Sequence, residues 1–527
     1  MSRAPKRGVG RFYAAVAAMI MRGAQPPPAV NICPSDFRQS LSVPAGRVGD
    51  VLDHETCYRA VSSRDARFDG AFFTAVTSTR IYCRPSCPAL TPKRSNVRFY
   101  ATAAAAQQGG FRACKRCRPD ATPGSPEWNL RADLVGRAMR LIADGVVDRD
   151  GVAGLAARLG YSERHVHRQL VTEVGAGPIA LARAQRAQTA RILLETTDLA
   201  VSHVAFAAGF ASIRQFNDTI RDVFAGTPRE LRARSASTPT APGSLTLRLP
   251  YRAPFDATPL FRFLGTRAVP GIEEWDGTTF RRSLHLPHGT GVVDLTPADG
   301  HVRATMRLDD VRDLAAAVQR CRRLLDLDAD SVAVADALGR DPLLRRLVRN
   351  APGRRVPGHV DGAELAVRAI LGQQVSVSGA RTVAGRLVAK YGKPLTAPVG
   401  AVTHLFPDAG TLADADPDDL PMPAARKRAL HALTSALATG DIRIDAGADR
   451  LAVERALLAL PGVGPWTASY IGLRALSDPD AFLPTDLGVR HALTNLGQPA
   501  DPRSAAAIAE RWRPWRSYAL MYLWESL

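Results

Sequence analysis

The segment Leu460-Pro461-Gly462-Val463-Gly464 constrains the fold of this chain most strongly, because it forms a tight turn between two helical patterns. Glycine has no side chain, so Gly462 and Gly464 leave successive backbone N–H groups bare at the start of the second helix. Bare N–H groups at the positive end of a helix dipole bind phosphate. The segment therefore predicts a helical hairpin that holds DNA by its backbone, with Gly462 and Gly464 as binding residues.

A lone carboxylate follows this turn, at Asp486 in the sequence Phe482-Leu483-Pro484-Thr485-Asp486. An isolated aspartate in front of a helix most often caps that helix. Its position after the hairpin favours a catalytic role. The turn and the carboxylate resemble the helix-hairpin-helix DNA glycosylases, and within them the AlkA family of 3-methyladenine DNA glycosylases II. Two further segments, Leu365 to Val377 and Arg511 to Leu520, extend the resemblance from about residue 245 to residue 527.

The resemblance implies an enzyme that releases 3-methyladenine and other alkylated bases from DNA. Such an enzyme pulls the nucleotide out of the stack and stabilises an oxocarbenium-like sugar as the base leaves. Asp486 is the implied catalytic carboxylate. Because an N3-alkylated purine is cationic, aromatic faces favour it over a normal base. The implied base pocket consists of Tyr470, Trp524 and Trp466.

Three positions depart from the AlkA pattern. Gln374 occupies the place of the leucine wedge that fills the gap left by the extruded base. Its amide could fill that gap by hydrogen bonding to the estranged base. Thr485 and Leu487 replace an aspartate and a tyrosine beside the catalytic carboxylate, which bears on substrate range.

Two cysteine pairs, Cys83-Arg84-Pro85-Ser86-Cys87 and Cys114-Lys115-Arg116-Cys117, supply four closely spaced thiols. Four thiolates in tetrahedral geometry form a structural Zn2+ site, and in most proteins such a site only stabilises the fold. Here the four thiolates leave a net negative charge that keeps sulfur nucleophilic. Nearby basic side chains, Arg112 and Arg116 among them, suit phosphate binding.

The cysteine segments resemble the N-terminal domain of the Ada adaptive-response regulators. The resemblance implies that Cys83, Cys87, Cys114 and Cys117 bind zinc. It also implies that the Cys83 thiolate takes a methyl group from a DNA methylphosphotriester. Transfer would remove one unit of negative charge and so strengthen DNA binding.

The helical middle of the chain contains two similar helix-turn-helix patterns in tandem. The second helix of each carries the candidate base-reading residues, Arg164 and Arg168 in the first and Arg214 and Gln215 in the second. One copy would be weak evidence, since helical hairpins are common packing units. The Gly209-Phe210-Ala211-Ser212 turn and the segment from Phe224 to Arg232 resemble the AraC-type DNA-binding domains, which implies promoter binding.

Composition agrees with a polyanionic partner, because 69 Lys and Arg against 50 Asp and Glu give a net charge of +19. Double-stranded DNA, both damaged and promoter DNA, is the predicted partner. The seven cysteines are too few for a secreted disulfide scaffold. The N-terminus imitates a signal peptide, but export would oxidise the thiols and separate the protein from DNA. A cytoplasmic location without membrane segments is therefore expected.

The predicted fold class is multidomain and mainly α: a small zinc-bound α/β domain, an AraC-type all-α double helix-turn-helix, and an α+β glycosylase with a β-rich cap and a helix-hairpin-helix bundle. The domain boundaries are predicted as follows: a disordered extension at 1–50, the zinc domain at 51–122, the AraC-type domain at 128–234, a linker at 235–244, the cap at 245–310 and the helix-hairpin-helix domain at 311–527.

Two functions are consistent with these patterns. The first is a repair enzyme, a monofunctional glycosylase fused to a methyl acceptor and a transcriptional regulator. The second is an alkylation-responsive regulator whose glycosylase-like half only binds DNA. The presence of Asp486, Tyr470 and Trp524 favours the first.

Overall fold

The computed structural model describes residues 54–119, 133–233, 243–416, 419 and 422–527. The extension predicted at 1–50 and most of the linker predicted at 235–244 lie outside the described residues. None of the helices in the described ranges combines the length and apolar character that a membrane crossing requires. The predicted multidomain and mainly helical fold class is confirmed.

The first described segment is a small α/β unit built on a sheet of order β3-β1-β2-β4. Strand β2 runs parallel to β4, and the N–H of Cys114 donates to the carbonyl of Tyr82 at 3.0 Å. Because parallel neighbours end at the same edge, Cys83 and Cys114 lie side by side. The elements are α1 His54–Ser62, β1 Phe73–Val76, β2 Ile81–Cys83, β3 Val97–Tyr100, α2 Ala103–Gln108 and β4 Arg112–Ala113.

The middle segment is entirely helical and contains the two predicted helix-turn-helix units. Ser162 and Ser212 cap the second helix of each unit by accepting the N–H groups of His165 at 3.3 Å and Gln215 at 3.1 Å. A long helix, α6, joins the units. The helices are α3 Leu134–Ala143, α4 Val146–Leu159, α5 Glu163–Val174, α6 Pro178–Thr196, α7 Val201–Ala207, α8 Ile213–Phe224 and α9 Pro228–Ala233.

The cap is an antiparallel sheet of order β5-β9-β8-β7-β6, in which buried and exposed residues alternate along β5. The cap also contains a helix, α10, which the alternating pattern did not indicate. Gly265 on this helix faces the Trp275 ring, and a Cβ there would lie 2.0 Å from it. The elements are β5 Leu245–Pro250, α10 Ala257–Thr266, β6 Glu273–Trp275, β7 Phe280–His285, β8 Thr290–Ala298 and β9 His301–Leu308.

The remaining segment is a helical bundle with one short β-hairpin. Two apolar cores fill it, one around Ile370 and Leu433 and the other around Trp512 and Leu520. The elements are α11 Leu314–Leu324, α12 Ser331–Leu338, α13 Arg345–Asn350, α14 Gly362–Leu371, α15 Val377–Tyr391, β10 Pro394–Val399, β11 Val402–His404, α16 Ala409–Ala413, α17 Ala424–Thr439, α18 Arg450–Leu458, α19 Pro465–Ala475, α20 Leu487–Asn495, α21 Pro502–Ala509 and α22 Arg516–Glu525.

The segments share a continuous apolar core. One buried cluster includes Phe73 of the zinc unit, Leu155 of the helical middle and Leu247 of the cap. Polar contacts also join the helical middle to the bundle. Arg137 and Arg140 of α3 donate to the carbonyls of Gly447 at 2.7 Å and Ala446 at 2.6 Å, between α17 and α18. Burial of apolar surface is the main stabilising term in such contacts. The parts of the chain therefore form one packed assembly.

Candidate active site and metal centre

The glycine turn lies between α18 and α19, as its sequence predicts. Gly462 has φ +77°, and a Cβ there would lie 2.8 Å from the Cβ of Ala429 on α17. A side chain at this position would be both strained and crowded. Gly464 has open space around its Cα, and Pro465 opens α19. The exposed N-terminal end of α19 therefore has no side chain at Gly464, where a phosphate could approach the backbone closely.

A second turn, between α14 and α15, is hydrogen-bonded to the glycine turn. The side-chain amide of Gln373 donates to the carbonyl of Gly462 and to the Thr467 hydroxyl, both at 3.0 Å. The next residue, Gln374, is exposed and has φ +55°. The structure therefore places the residue predicted as the wedge at the surface beside the hairpin.

The carboxylate of Asp486 stands at the start of α20 and is held by three donors. The indole N–H of Trp466 donates to Oδ2 at 3.0 Å, and the indole N–H of Trp524 donates to Oδ1 at 2.9 Å. The backbone N–H of Val489 also donates to Oδ1, at 3.1 Å. Asp486 is thus a helix cap and a member of the aromatic cluster at the same time.

Asp486 faces a cavity of about 530 Å³ that is also lined by Trp466, Tyr470 and Trp524. This volume lies in the range of small-molecule sites. Trp466 and Tyr470, one turn apart on α19, stack with ring centroids 5.1 Å apart and planes 6° apart. The structure thus brings together the four residues predicted for catalysis and base recognition.

The cavity also contains an arginine-rich cluster that the sequence analysis missed. The guanidinium of Arg267 lies 3.7 Å from the ring centroid of Phe263, and that of Arg474 lies 4.9 Å from it. Phe263 stacks in turn on Trp524, with centroids 6.3 Å apart. Phe263 and Arg267 belong to the cap segment, far from the hairpin in the chain, so sequence spacing gave no signal for them.

Arg474 also orients Tyr470, because its guanidinium donates to the Tyr470 hydroxyl at 2.8 Å. Burial raises the pKa of that hydroxyl, but the nearby guanidinium groups of Arg474 and Arg267 outweigh burial and leave the pKa below its usual value. The carbonyls of Pro357 and Gly358 accept the other Arg474 donors. The Tyr470 side chain is therefore held by stacking of its ring on Trp466 and by the hydrogen bond from Arg474 to its hydroxyl.

A buried ion-pair cluster connects the cap to the bundle beneath this cavity. Arg282 donates to Glu273 at 2.9 Å and to Glu364 at 2.8 Å, and Arg368 donates to the same two carboxylates. Desolvation raises the pKa of Glu364, but Arg282 and His359 outweigh it and hold this pKa well below the ordinary value. Buried charges that are paired in this way fix geometry.

The four predicted zinc ligands lie together at one edge of the small sheet. The sulfur atoms of Cys83, Cys87, Cys114 and Cys117 lie within 4.8 Å of one another. This spacing suits four sulfur ligands at about 2.3 Å from a central zinc ion. As whole residues, Cys83 is partly exposed and Cys87, Cys114 and Cys117 are buried.

The predicted DNA-binding side chains of the middle segment all lie at the surface. Arg164 and Arg168 are exposed on α5, and Arg214 and Gln215 are exposed on α8, where the Arg214 side chain is 94% exposed. In the zinc unit Arg116 is exposed and Arg112 is half-buried. The AraC-signature rings Phe210 and Phe216 are buried in the core, as expected for packing residues.

Comparison with protein-family models identifies three segments of the chain. A model described as the metal binding domain of Ada matches residues 56–120, and one described as a helix-turn-helix domain matches residues 155–234. A third, the AlkA N-terminal domain, matches residues 246–361. The order of the three matches is the order of the predicted zinc, helix-turn-helix and cap segments.

Three curated proteins show how these segments combine elsewhere. The chain is 59% identical to the "Probable bifunctional transcriptional activator/DNA repair enzyme AlkA" of Mycobacterium tuberculosis, over 90% of this chain and 97% of that protein. It is 35% identical to the DNA-3-methyladenine glycosylase 2 of Escherichia coli, over 52% of this chain and 95% of that enzyme. It is also 35% identical to the regulatory protein ada of Salmonella typhimurium, over 30% of this chain and 44% of that protein.

Proposed function

Because this chain belongs to the family of bifunctional transcriptional activator/DNA repair enzymes AlkA, we propose that Asp486 carries its base-excision reaction and Cys83 its methyl transfer. The protein joins a DNA-3-methyladenine glycosylase to an Ada-type zinc domain and an AraC-type regulator. The observation that carries the first assignment is the carboxylate of Asp486, held by two indole N–H groups and facing a cavity.

In base excision, the bond between C1′ and the base nitrogen breaks, and the base leaves with the bonding electrons. Positive charge then develops on the sugar, and the Asp486 carboxylate stabilises it before water adds at C1′. The donors on Asp486 are neutral, so the full negative charge remains available to the sugar. The rings of Tyr470 and Trp524 accept the cationic alkylated purine.

The wedge function falls to Gln374 at the exposed turn. The hydrogen bonds of Gln373 to the hairpin fix the position of this turn relative to the phosphate-binding glycines. A DNA backbone held at Gly462 and Gly464 would therefore present its base stack to Gln374.

Cys83, Cys87, Cys114 and Cys117 would hold the zinc ion, and bound zinc would keep their four sulfurs as thiolates at neutral pH. In methyl transfer the Cys83 sulfur attacks the methyl carbon of a methylphosphotriester. The carbon–oxygen bond breaks, and a phosphodiester anion leaves with the electron pair. Cys83 becomes an S-methyl thioether and the cluster loses one negative charge. The assignment of Cys83 as the acceptor rests on its place in the first cysteine pair of the Ada metal-binding segment, and Cys83 is also the one residue of the four that is not buried.

Loss of that charge reduces repulsion of the DNA backbone and strengthens promoter binding. Promoter bases are read by the exposed side chains of α5 and α8, with Arg112 and Arg116 of the zinc unit contacting phosphates. Damaged duplex DNA is the partner of the cavity, and promoter DNA is the partner of the helix-turn-helix units. A cytoplasmic location fits this function, because zinc thiolates need a reducing compartment and the DNA substrate lies there.

Release of free 3-methyladenine from alkylated DNA by the purified full-length protein tests the enzymatic proposal. We expect release with the wild-type chain and retention of DNA binding. Binding of alkylated DNA without any base release would instead favour a regulator whose glycosylase-like half only binds DNA.

Gln374→Gly separates the wedge role from the conformation of the turn. Because Gln374 has a left-handed backbone, glycine fits that conformation without strain. We expect unchanged or slightly higher thermal stability and a loss of base release of about tenfold, equivalent to about 1.4 kcal/mol of lost stabilisation of the extruded state. Single-turnover release from a 3-methyladenine duplex measures the effect. Equal rates in the two proteins would contradict the wedge role.

Removal of zinc is expected to unfold the small α/β unit. Structural zinc in small domains contributes about 10–16 kcal/mol of apparent binding energy, and this unit has only a small core of its own. Thermal melting with and without a strong chelator, followed by zinc titration, measures the loss and its recovery. A melting curve that is unchanged after complete metal removal would contradict the structural role.

A further inference from the structure

A buried carboxylate outside the zinc ligands holds the loop between Cys83 and Cys87. Asp69 accepts the backbone N–H of Ser86 at 2.9 Å and the Ser86 hydroxyl at 2.6 Å. Arg84 of the same loop lies 3.4 Å from the Asp69 carboxylate. Outer partners of this kind orient metal ligands. The position of the Asp69 backbone therefore sets the position of the loop that begins with Cys83.

The glycosylase half holds that backbone. Arg252, in the connection between β5 and α10, donates from Nη1 to the carbonyl of Arg67 at 3.0 Å and from Nη2 to the carbonyl of Asp69 at 2.5 Å. Arg252 is only 8% exposed, so the two bonds are shielded from water. The flat guanidinium presents two donors in fixed directions, which a flexible lysine cannot reproduce.

Arg252 is itself fixed by the interior of the glycosylase half. The buried Arg355 donates to the carbonyl of Arg252 and, at 2.7 Å, to the carbonyl of Ala329. A line of hydrogen bonds therefore runs from the bundle through Arg252 and Asp69 to the loop that carries Cys83. Arg355, Arg252 and Asp69 are buried, so water cannot readily replace the hydrogen bonds between them, whereas Ser86 at the end of the line is partly exposed.

We propose that Arg252 is a positioning residue for methyl transfer to Cys83, so that the glycosylase half helps to orient the methyl-accepting thiolate. The inference rests on the proposed role of Cys83. Fusion of the two halves would then affect the rate of methyl transfer, because an isolated zinc domain would lack the Arg252 donors.

The test compares full-length, zinc-loaded wild type with Arg252→Met, which keeps the length of the side chain and removes its donors. Arg248→Met is the matched control, since Arg248 lies on β5 of the same half and is exposed. We expect single-turnover methyl transfer from a methylphosphotriester duplex to fall about 10- to 100-fold in Arg252→Met and to stay unchanged in the control. Arg252→Lys should recover only part of the rate.

A second readout distinguishes positioning from a loss of folding. With cadmium in place of zinc, the cadmium NMR resonance of Arg252→Met should shift from the wild-type position, while base release stays within about twofold of wild type. An unshifted resonance together with an unchanged transfer rate overturns the proposal. So does a parallel fall of transfer, base release and melting temperature, which would mark Arg252 as a purely structural residue.

A double-mutant comparison tests the route through Asp69. If Arg252 acts through Asp69, Asp69→Asn should slow transfer as well, and the double variant should be no slower than the slower single variant. If the rate reductions of the two single variants multiply in the double variant, Arg252 does not act through Asp69. If the wild-type protein transfers no methyl group, the proposed role of Cys83 is wrong. If wild type and Arg252→Met transfer it at equal rates, only the proposed role of Arg252 is wrong.

Discussion

Asp486→Asn is expected to reduce base release at least about 100-fold while leaving DNA binding intact. In the proposed mechanism the Asp486 carboxylate supplies the negative charge that stabilises the developing sugar cation, and a neutral amide cannot replace that charge. Removing one preorganised electrostatic group from an active site costs about 2.7–4 kcal/mol of transition-state stabilisation. Single-turnover release of 3-methyladenine, with affinity for an abasic-site duplex measured in parallel, gives both quantities.

The role of Asp486 as a helix cap makes the choice of variant important. Asparagine caps helices about as well as aspartate, so Asp486→Asn should keep the bond from the Val489 N–H and the stability of α20. Asp486→Ala removes the cap too and should cost about 1 kcal/mol of folding stability. If Asp486→Asn released bases at the wild-type rate, the carboxylate would be only a cap.

Cys83→Ala is expected to abolish methyl transfer from methylphosphotriester DNA, because the variant lacks the sulfur proposed as the acceptor, while Cys87, Cys114 and Cys117 are buried residues. Transfer is stoichiometric, since the thioether formed is not reversed. Intact-mass measurement should therefore show one added methyl group on wild type and none on the variant. Peptide mapping should place that group on Cys83.

Cys57→Ala is the matched control for this loss. Cys57 belongs to the same unit but lies outside the zinc-binding cluster. Its replacement should leave one methyl group per chain. Methylation of Cys87, Cys114 or Cys117 in the wild-type protein would contradict the assignment of Cys83 as the acceptor. So would one methyl group per chain on the Cys83→Ala variant.

Local chemistry explains what could be predicted from the sequence. The short spacing within each cysteine pair and the serines before α5 and α8 are local features of the chain. The structure places the two cysteine pairs together and the two serines at the helix N-termini. The glycine turn likewise requires a backbone that only glycine adopts easily, as Gly462 shows. These features depend on neighbours along the chain, so their patterns are visible without coordinates.

The missed residues depend on packing between distant segments. Phe263 and Arg267 reach the cavity only because α10 of the cap packs against the bundle, and Arg252 reaches Asp69 across more than 180 residues of chain. Sequence also left Asp486 with two alternatives, a cap or a catalytic residue. The structure shows that the capping contact and the cavity position coexist, because the two carboxylate oxygens have different partners.

The continuous core that joins Phe73, Leu155 and Leu247 has a consequence for how the protein meets chromosomes. Segments packed in this way do not move independently of one another, so the fold sets the distance between the proposed promoter-reading helices α5 and α8 and the proposed excision cavity. A single straight duplex can serve both surfaces only if their geometry happens to match its path. We therefore expect one straight duplex to occupy only one of the two proposed surfaces at a time, whereas a sharply bent duplex or two separate stretches of DNA could occupy both.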